Sequence, residues 1–282
     1  MKTLYEMVQA SDRINQQHKN ELIGAVIIRA DNVADYFAKN SGSFQRLLED
    51  YPRLTPPFDR MWIEYRYGFG SFDLGEDIHK ITGVRSINTN AGSMGFLLTR
   101  MDIKKDPIPH QAQGYIARYR DVRWLVSIAQ YSGYLGKVTN PGSGPEMVYI
   151  LGIDDGGQIA LTDDPNATFV YIVHSELPKG PFIDLIGPAL LTLSFLHCKN
   201  VLTEEIVPPR EKKRRNRHDR PQIRYKIIKI RAMTRRTGGG QYTGDIGPLS
   251  YHIRRGHFKD FSAGPGLFGR HHGLYWWETA AV

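Results

Sequence analysis

The stretch MVYILGIDDGGQIALT, Met147 to Thr162, decides the fold. Two apolar runs of strand length flank Asp154-Asp155-Gly156-Gly157, where glycines accept the positive φ that a tight reversal requires. The segment predicts two antiparallel strands joined by a hairpin. The same texture continues on both sides. DRMWIEYRYGF, GVRSINTN, GSMGFLLTRMD and GYIARYRDVRWLVSIAQY lie before it and TFVYIVHS after it, each rich in β-branched and aromatic residues and bounded by turn formers.

Helical signals surround this core of strands. MKTLYEMVQASDRINQQ reads as one amphipathic helix and lacks the apolar centre of a signal peptide. LIGAVIIRA reads as a strand, Asp31 as the N-cap of a helix over NVADYFAKN, and SFQRLLEDY as further helix up to Pro52. PFIDLIGPALLTLSFLHC, from Pro181 to Cys198, is the longest apolar run, but it carries Asp184 and Pro188 and falls short of the roughly 20 residues a spanning helix needs. It is expected to pack on the sheet as a buried helix. The expected fold is α+β, a mainly antiparallel sheet with flanking helices, plus a small basic C-terminal β module.

Composition narrows the function. The 282 residues are 41% hydrophobic, enough for a sizeable core. One cysteine, Cys198, rules out a disulfide framework and any zinc site built on several thiolates, and a reducing cytoplasm is the expected location. The net charge of +8 is unevenly spread: Arg210 to Val282 hold 17 Lys or Arg against 5 Asp or Glu, whereas the preceding residues hold 20 against 24. Clustered cations release counterions from phosphates, so the C-terminal quarter points to a polyanionic partner, RNA or another nucleic acid; with no apolar run long enough to span, no membrane partner is expected.

The expected domains are an α+β partner-recognition domain over 1–207, a basic linker over 208–222, and a β-rich nucleic-acid-binding module over 223–282. The linker, REKKRRNRHDR, offers Lys212, Lys213, Arg214, Arg215 and Arg217 as phosphate contacts. QIRYKIIKIRAM continues as a half-buried strand whose Arg224 and Lys226 share one face, which extends a basic stripe. In YHIRRGHFKDF, a strand that enters a turn at Gly256 puts His252 and Arg254 on one face and Arg255 on the other, and releases His257 beyond the glycine beside Lys259. His271, His272 and Trp276 follow. Tyr251, Phe258, Phe261, Tyr275, Trp276 and Trp277 are interleaved with these cations, and aromatic faces beside cations form platforms for unpaired bases.

The histidines admit three chemistries. A metal site lacks any established ligand spacing, and neither a metal nor another cofactor is expected. A metal-independent ribonuclease would use His252 and His257 as acid and base, with Arg255 and Lys259 stabilising the phosphorane. Binding without catalysis is the third, and whether the chain is an enzyme stays open. A protein-binding inhibitor or virion component, its charge serving solubility, is the remaining alternative. GFGSFDLG and GSGPEM do not match a phosphate loop, and His197 beside Cys198 diverges from it around a helix, so neither carries chemistry.

HIRRGHFKDF, followed by LFG and GLYWW, resembles the C-terminal signature of a large set of phage, prophage and plasmid proteins, and is similar to that of the second-numbered type V-A anti-CRISPR family. The resemblance runs from Tyr225 to Trp277. It implies a counter-defence protein of a mobile element that engages an mRNA, the ribosome or a nascent peptide of a host protein, and suppresses expression of that host target.

Overall fold

The structure is a computed structural model and describes residues 3–40, 51–67, 71–73, 86–88, 92–134, 137–138, 142–160, 170–175, 183–207, 224–230, 253–254, 257–266, 270–277 and 280–281. Its centre is a nine-stranded sheet. Strands β1 (Val26–Arg29), β2 (Arg60–Tyr67), β5 (Gly92–Asp102), β6 (Trp124–Tyr134), β8 (Met147–Ile153), β9 (Val170–Ser175), β10 (Val201–Ile206) and β11 (Tyr225–Ile230) stand in the order β10-β11-β1-β2-β5-β6-β8-β9, and β7 (Lys137–Val138) pairs with β6. Only β11 with β1 and β1 with β2 are parallel; the other pairings in this sheet are antiparallel. The α+β, mainly antiparallel class is therefore observed. Strands β3 (Ser71–Asp73) and β4 (Ser86–Asn88) form a separate pair.

The reversal after β8 forms as its glycines suggest. Asp154 N donates to Gln158 O at 2.9 Å, Gly157 N to Asp154 O at 3.2 Å, and the positive φ of 84° falls on Gly157. A side chain there would also collide with Arg53, since an added Cβ would lie 3.0 Å from Arg53 Cα. The expected return strand QIALT is only an isolated bridge, Ile159 to Ile153, among the described residues.

Strand alternation sends side chains to two cores. On one face Met61, Ile63 and Tyr65 of β2, Met94, Phe96 and Leu98 of β5, and Tyr149, Leu151 and Ile153 of β8 meet helices α3 (Asp31–Asn40) and α5 (Ile183–Leu196). Every residue of α5 from Ile186 to Phe195 is buried, as expected of an apolar helix on a sheet. The helix tolerates Pro188, whose carbonyl accepts from Thr192 Oγ1 at 2.8 Å. On the opposite face Trp62, Leu97 and Tyr131 meet α1 (Leu4–Ala10) and α2 (Gln16–Leu22). α4 (His110–Ile116) is fastened beyond them by Ala112, Ile116 and Tyr119.

Several expectations need correction. The N-terminal helix is two helices, because Thr3 and Glu6 form a capping box on α1, Ser11 ends it, and Asn15 caps α2 by accepting from His18 N at 3.0 Å. GYIARYRDVRWLVSIAQY is not one strand: its start belongs to α4, which follows Pro109, and the strand begins at Trp124. VLTEEI, which precedes the expected linker, forms β10. The strand expected to open the C-terminal module, β11, lies inside the main sheet between β10 and β1, with Ile228 in the main core. The helix expected over SFQRLLEDY lies outside the described residues except for Tyr51. No described helix is long and apolar enough to cross a membrane.

Candidate nucleic-acid interface

β13 (His257–Asp260) and β14 (Leu274–Trp277) form an antiparallel ladder that pairs His257 with Trp277, Phe258 with Trp276, Lys259 with Tyr275 and Asp260 with Leu274. Gly264, Gly266 and Gly273 supply positive φ in the connection, and Phe261 N donates to Gly273 O at 2.8 Å beyond the last pair. Because directly opposed residues share a face, the ladder sorts its rings in two directions.

The inward set is Phe258, Leu274 and Trp276. The Trp276 ring lies 4.9 Å from that of Phe195, 4.7 Å from Phe258 and 5.3 Å from Tyr36, all near edge-on. Asn200 completes the attachment: its Nδ2 donates to Trp276 O at 2.7 Å and its Oδ1 accepts from Trp276 N at 2.9 Å. One side chain thus satisfies both main-chain groups of a buried residue, where an unmet group would cost about 1–3 kcal/mol.

The outward set is His257, Lys259, Phe261, Tyr275 and Trp277. Lys259 Nζ sits 4.6 Å from the Trp277 ring centre, and Phe261 lies 6.0 Å from Trp277 and 6.1 Å from Tyr275. His271 stands edge-on to Tyr275 at 6.3 Å. His257, Lys259 and His271 are exposed, Phe261 and Trp277 half-buried, and Tyr275 buried beneath them. A cation-fringed aromatic surface results, chemically suited to stack a base and hold its phosphate.

The ladder is fixed at its connection end as well. Arg53, held at a left-handed φ of 59°, donates to Ser262 Oγ at 2.7 Å and to Asp260 Oδ2 at 3.3 Å. Partial burial works against ionisation of Asp260, but the Ser262 hydrogen bonds and the Arg53 charge outweigh it and hold the carboxyl below its usual range. Nearby, burial lowers the His197 pKa and Arg53 adds to the effect; its Nε2 donates to Thr55 O at 2.7 Å. Burial also pushes the Cys198 thiol up to about 12, so this cysteine is a core group.

The residues named from sequence divide accordingly. His257, Lys259 and His271 share the ladder's surface; exposed His272 stands at its connection, near Gly266. Trp276 is corrected: at 3% exposure it is a core residue, and no base can reach it. Arg224 stands just before β11 and Lys226 lies within it, but the strand belongs to another sheet and its neighbour β10 is acidic. Arg224 pairs with Glu205 at 3.2 Å and Lys229 with Glu204, while Lys226 Nζ lies over Phe58 at 5.2 Å. The basic stripe expected there is offset by carboxylates. Arg254 lies in β12 (Ile253–Arg254), which pairs with β15 (Ala280–Ala281). Lys212, Lys213, Arg214, Arg215, Arg217, His252 and Arg255 lie outside the described residues.

Other polar clusters are structural in character. Glu64, 5% exposed, accepts from Tyr5 N at 3.0 Å and Trp62 Nε1 at 2.9 Å, and its burial raises its pKa. Ser132 and Gln130 both donate to Glu146, and Tyr149 OH donates to Gln130 at 2.7 Å, which ties β6 to β8. Trp124 lies between Arg100 at 4.8 Å and Arg123 at 4.9 Å, but Asp59 pairs with the first and Asp102 and Asp155 with the second. Among the described residues no three His, Cys, Asp or Glu side chains converge as metal ligands. Comparison with models of protein families, with curated proteins and with solved structures gives no match.

Proposed function

We propose that this protein binds RNA through the outward face of the β13–β14 ladder and acts as a mobile-element regulator that suppresses expression of a host target. The observation that carries the reading is the division of the ladder, in which Phe258 and Trp276 are spent on the core while Trp277 and Phe261 stay accessible beside Lys259, His257 and His271. The concentration of positive charge after Arg210 supports the same partner. Suppression of a host transcript in the bacterial cytoplasm follows from the resemblance of HIRRGHFKDF and GLYWW.

Fluorescence anisotropy with a labelled single-stranded RNA, repeated over a range of salt, tests the binding. The constant should fall with salt by a log-log slope of about −0.7 for each phosphate contact. Failure of the full chain to retain RNA in dilute buffer refutes the proposal. His257→Ala distinguishes the catalytic alternative: a binder leaves the RNA intact in both forms, whereas cleavage that disappears with His257 establishes a nuclease. Crosslinking in cells, followed by sequencing of the bound RNA, identifies the target.

A further inference from the structure

The ladder has a third rail. β13 occupies one side of β14, and Cys198 to Asn200 occupy the other: Cys198 forms a parallel bridge with Leu274, Lys199 N donates to Leu274 O at 2.8 Å, and Asn200 grips the main chain of Trp276. These residues follow directly on α5, so the main body itself closes the open edge of β14. The arrangement fixes the side chains unequally. Cys198 and Asn200 are buried, whereas Lys199 between them is exposed and runs its aliphatic stem past Gly273. A methyl group added at Gly273 would lie 3.1 Å from Lys199 Cε, so the glycine leaves the space in which the stem lies.

Lys199 and Lys259 therefore stand on opposite sides of the strand that carries Tyr275 and Trp277. With adjacent strands about 4.8 Å apart, their backbones are separated by about 10 Å. Lys199 has no carboxylate partner among the described ion pairs, unlike Arg224 and Lys229 on β11. Lys259 rests over Trp277, its ammonium 4.6 Å from the ring centre.

We infer that Lys199 is a second phosphate-binding residue of this face, and that the ligand is an unpaired strand crossing the ladder from Lys199 to Lys259 with a base on Trp277. The inference rests on the RNA reading and extends it to the substrate's form. On binding, the Lys259 ammonium leaves the Trp277 ring for a phosphate and the base takes its place. A duplex cannot make this exchange, because its bases are already stacked on one another and offer no free face to the Trp277 ring.

The test compares Lys199→Gln, Lys259→Gln and Lys104→Gln in the full chain, the last altering an exposed lysine on the turn after β5. Each is titrated with a labelled single-stranded oligoribonucleotide of mixed sequence, and with that strand annealed to its complement. Lys199→Gln and Lys259→Gln should each reduce the salt slope on the single strand by about 0.7, while Lys104→Gln leaves it unchanged. The unaltered chain should quench tryptophan fluorescence with the single strand and bind the duplex more weakly. Lys199→Glu, which reverses the charge at an exposed position, should weaken binding further with an unchanged thermal transition. A full salt slope in Lys199→Gln beside a reduced one in Lys259→Gln overturns the role of Lys199. Equal or tighter binding of the duplex overturns the unpaired strand. No binding by the unaltered chain removes the RNA reading itself, and this inference with it.

Discussion

Trp276 and Trp277 are neighbours in sequence with opposite duties, and replacing each by alanine separates them. Trp276 is 3% exposed and meets Phe195, Phe258 and Tyr36 edge-on. Loss of a buried tryptophan costs about 3–5 kcal/mol, a large part of the 5–15 kcal/mol that holds a typical protein folded, and lowers Tm by on the order of 10 °C. Trp277 is half-buried, and its ring contacts are Phe261 and the Lys259 ammonium. The cation–π contact at such a site contributes about 0.5–1 kcal/mol, so Trp277→Ala should shift Tm by only a few degrees. A base stacked on an aromatic ring is worth about 1–3 kcal/mol, so the same variant should weaken RNA binding about 5- to 150-fold. Calorimetric unfolding and anisotropy titration on both variants supply the two readouts. Should Trp276→Ala melt like the unaltered chain and lose RNA while Trp277→Ala retains it, the inward and outward assignment is wrong and the interface with it.

Two further substitutions examine the body that carries the ladder. Gly95→Ala places a methyl 2.2 Å from Trp62 Cζ2, and the indole cannot swing aside while its Nε1 is bonded to Glu64; a loss of about 1–3 kcal/mol in denaturant unfolding is expected, and a neutral result would show that Trp62 is not held as described. Glu64→Gln addresses pH. Burial raises the Glu64 pKa above its unfolded value near 4.3, so the folded state binds the proton more tightly; its stabilising effect is complete below that pH and is lost as pH rises through the folded value. The stability of the unaltered chain relative to Glu64→Gln should therefore decline from acid towards neutral pH, and an opposite or absent trend contradicts the buried, proton-retaining carboxyl.

Local chemistry made much of this molecule legible. The alternating runs DRMWIEYRY and GSMGFLLTRMD declare strands, the consecutive apolar residues of ALLTLSFL declare a helix with no face for water, and Asp154 to Gly157 declare a reversal, because period, burial and glycine φ are properties of a few adjacent residues. The clustering of cations after Arg210 is equally visible along the chain. What remained hidden depends on residues far apart in sequence. Nothing within RYKIIKI tells that the strand inserts beside β1, or that Glu204 and Glu205 will offset its charge, since both follow from pairing with partners elsewhere. Trp276 and Trp277 are chemically identical in the sequence; only the register of β14 against β13 and the grip of Asn200 turn one into the core and the other towards solvent. Lys199 shows the same limit most plainly: nothing adjacent to it in sequence marks it, and it stands beside β14 only because folding brings Cys198 and Leu274, 76 positions apart, into one ladder.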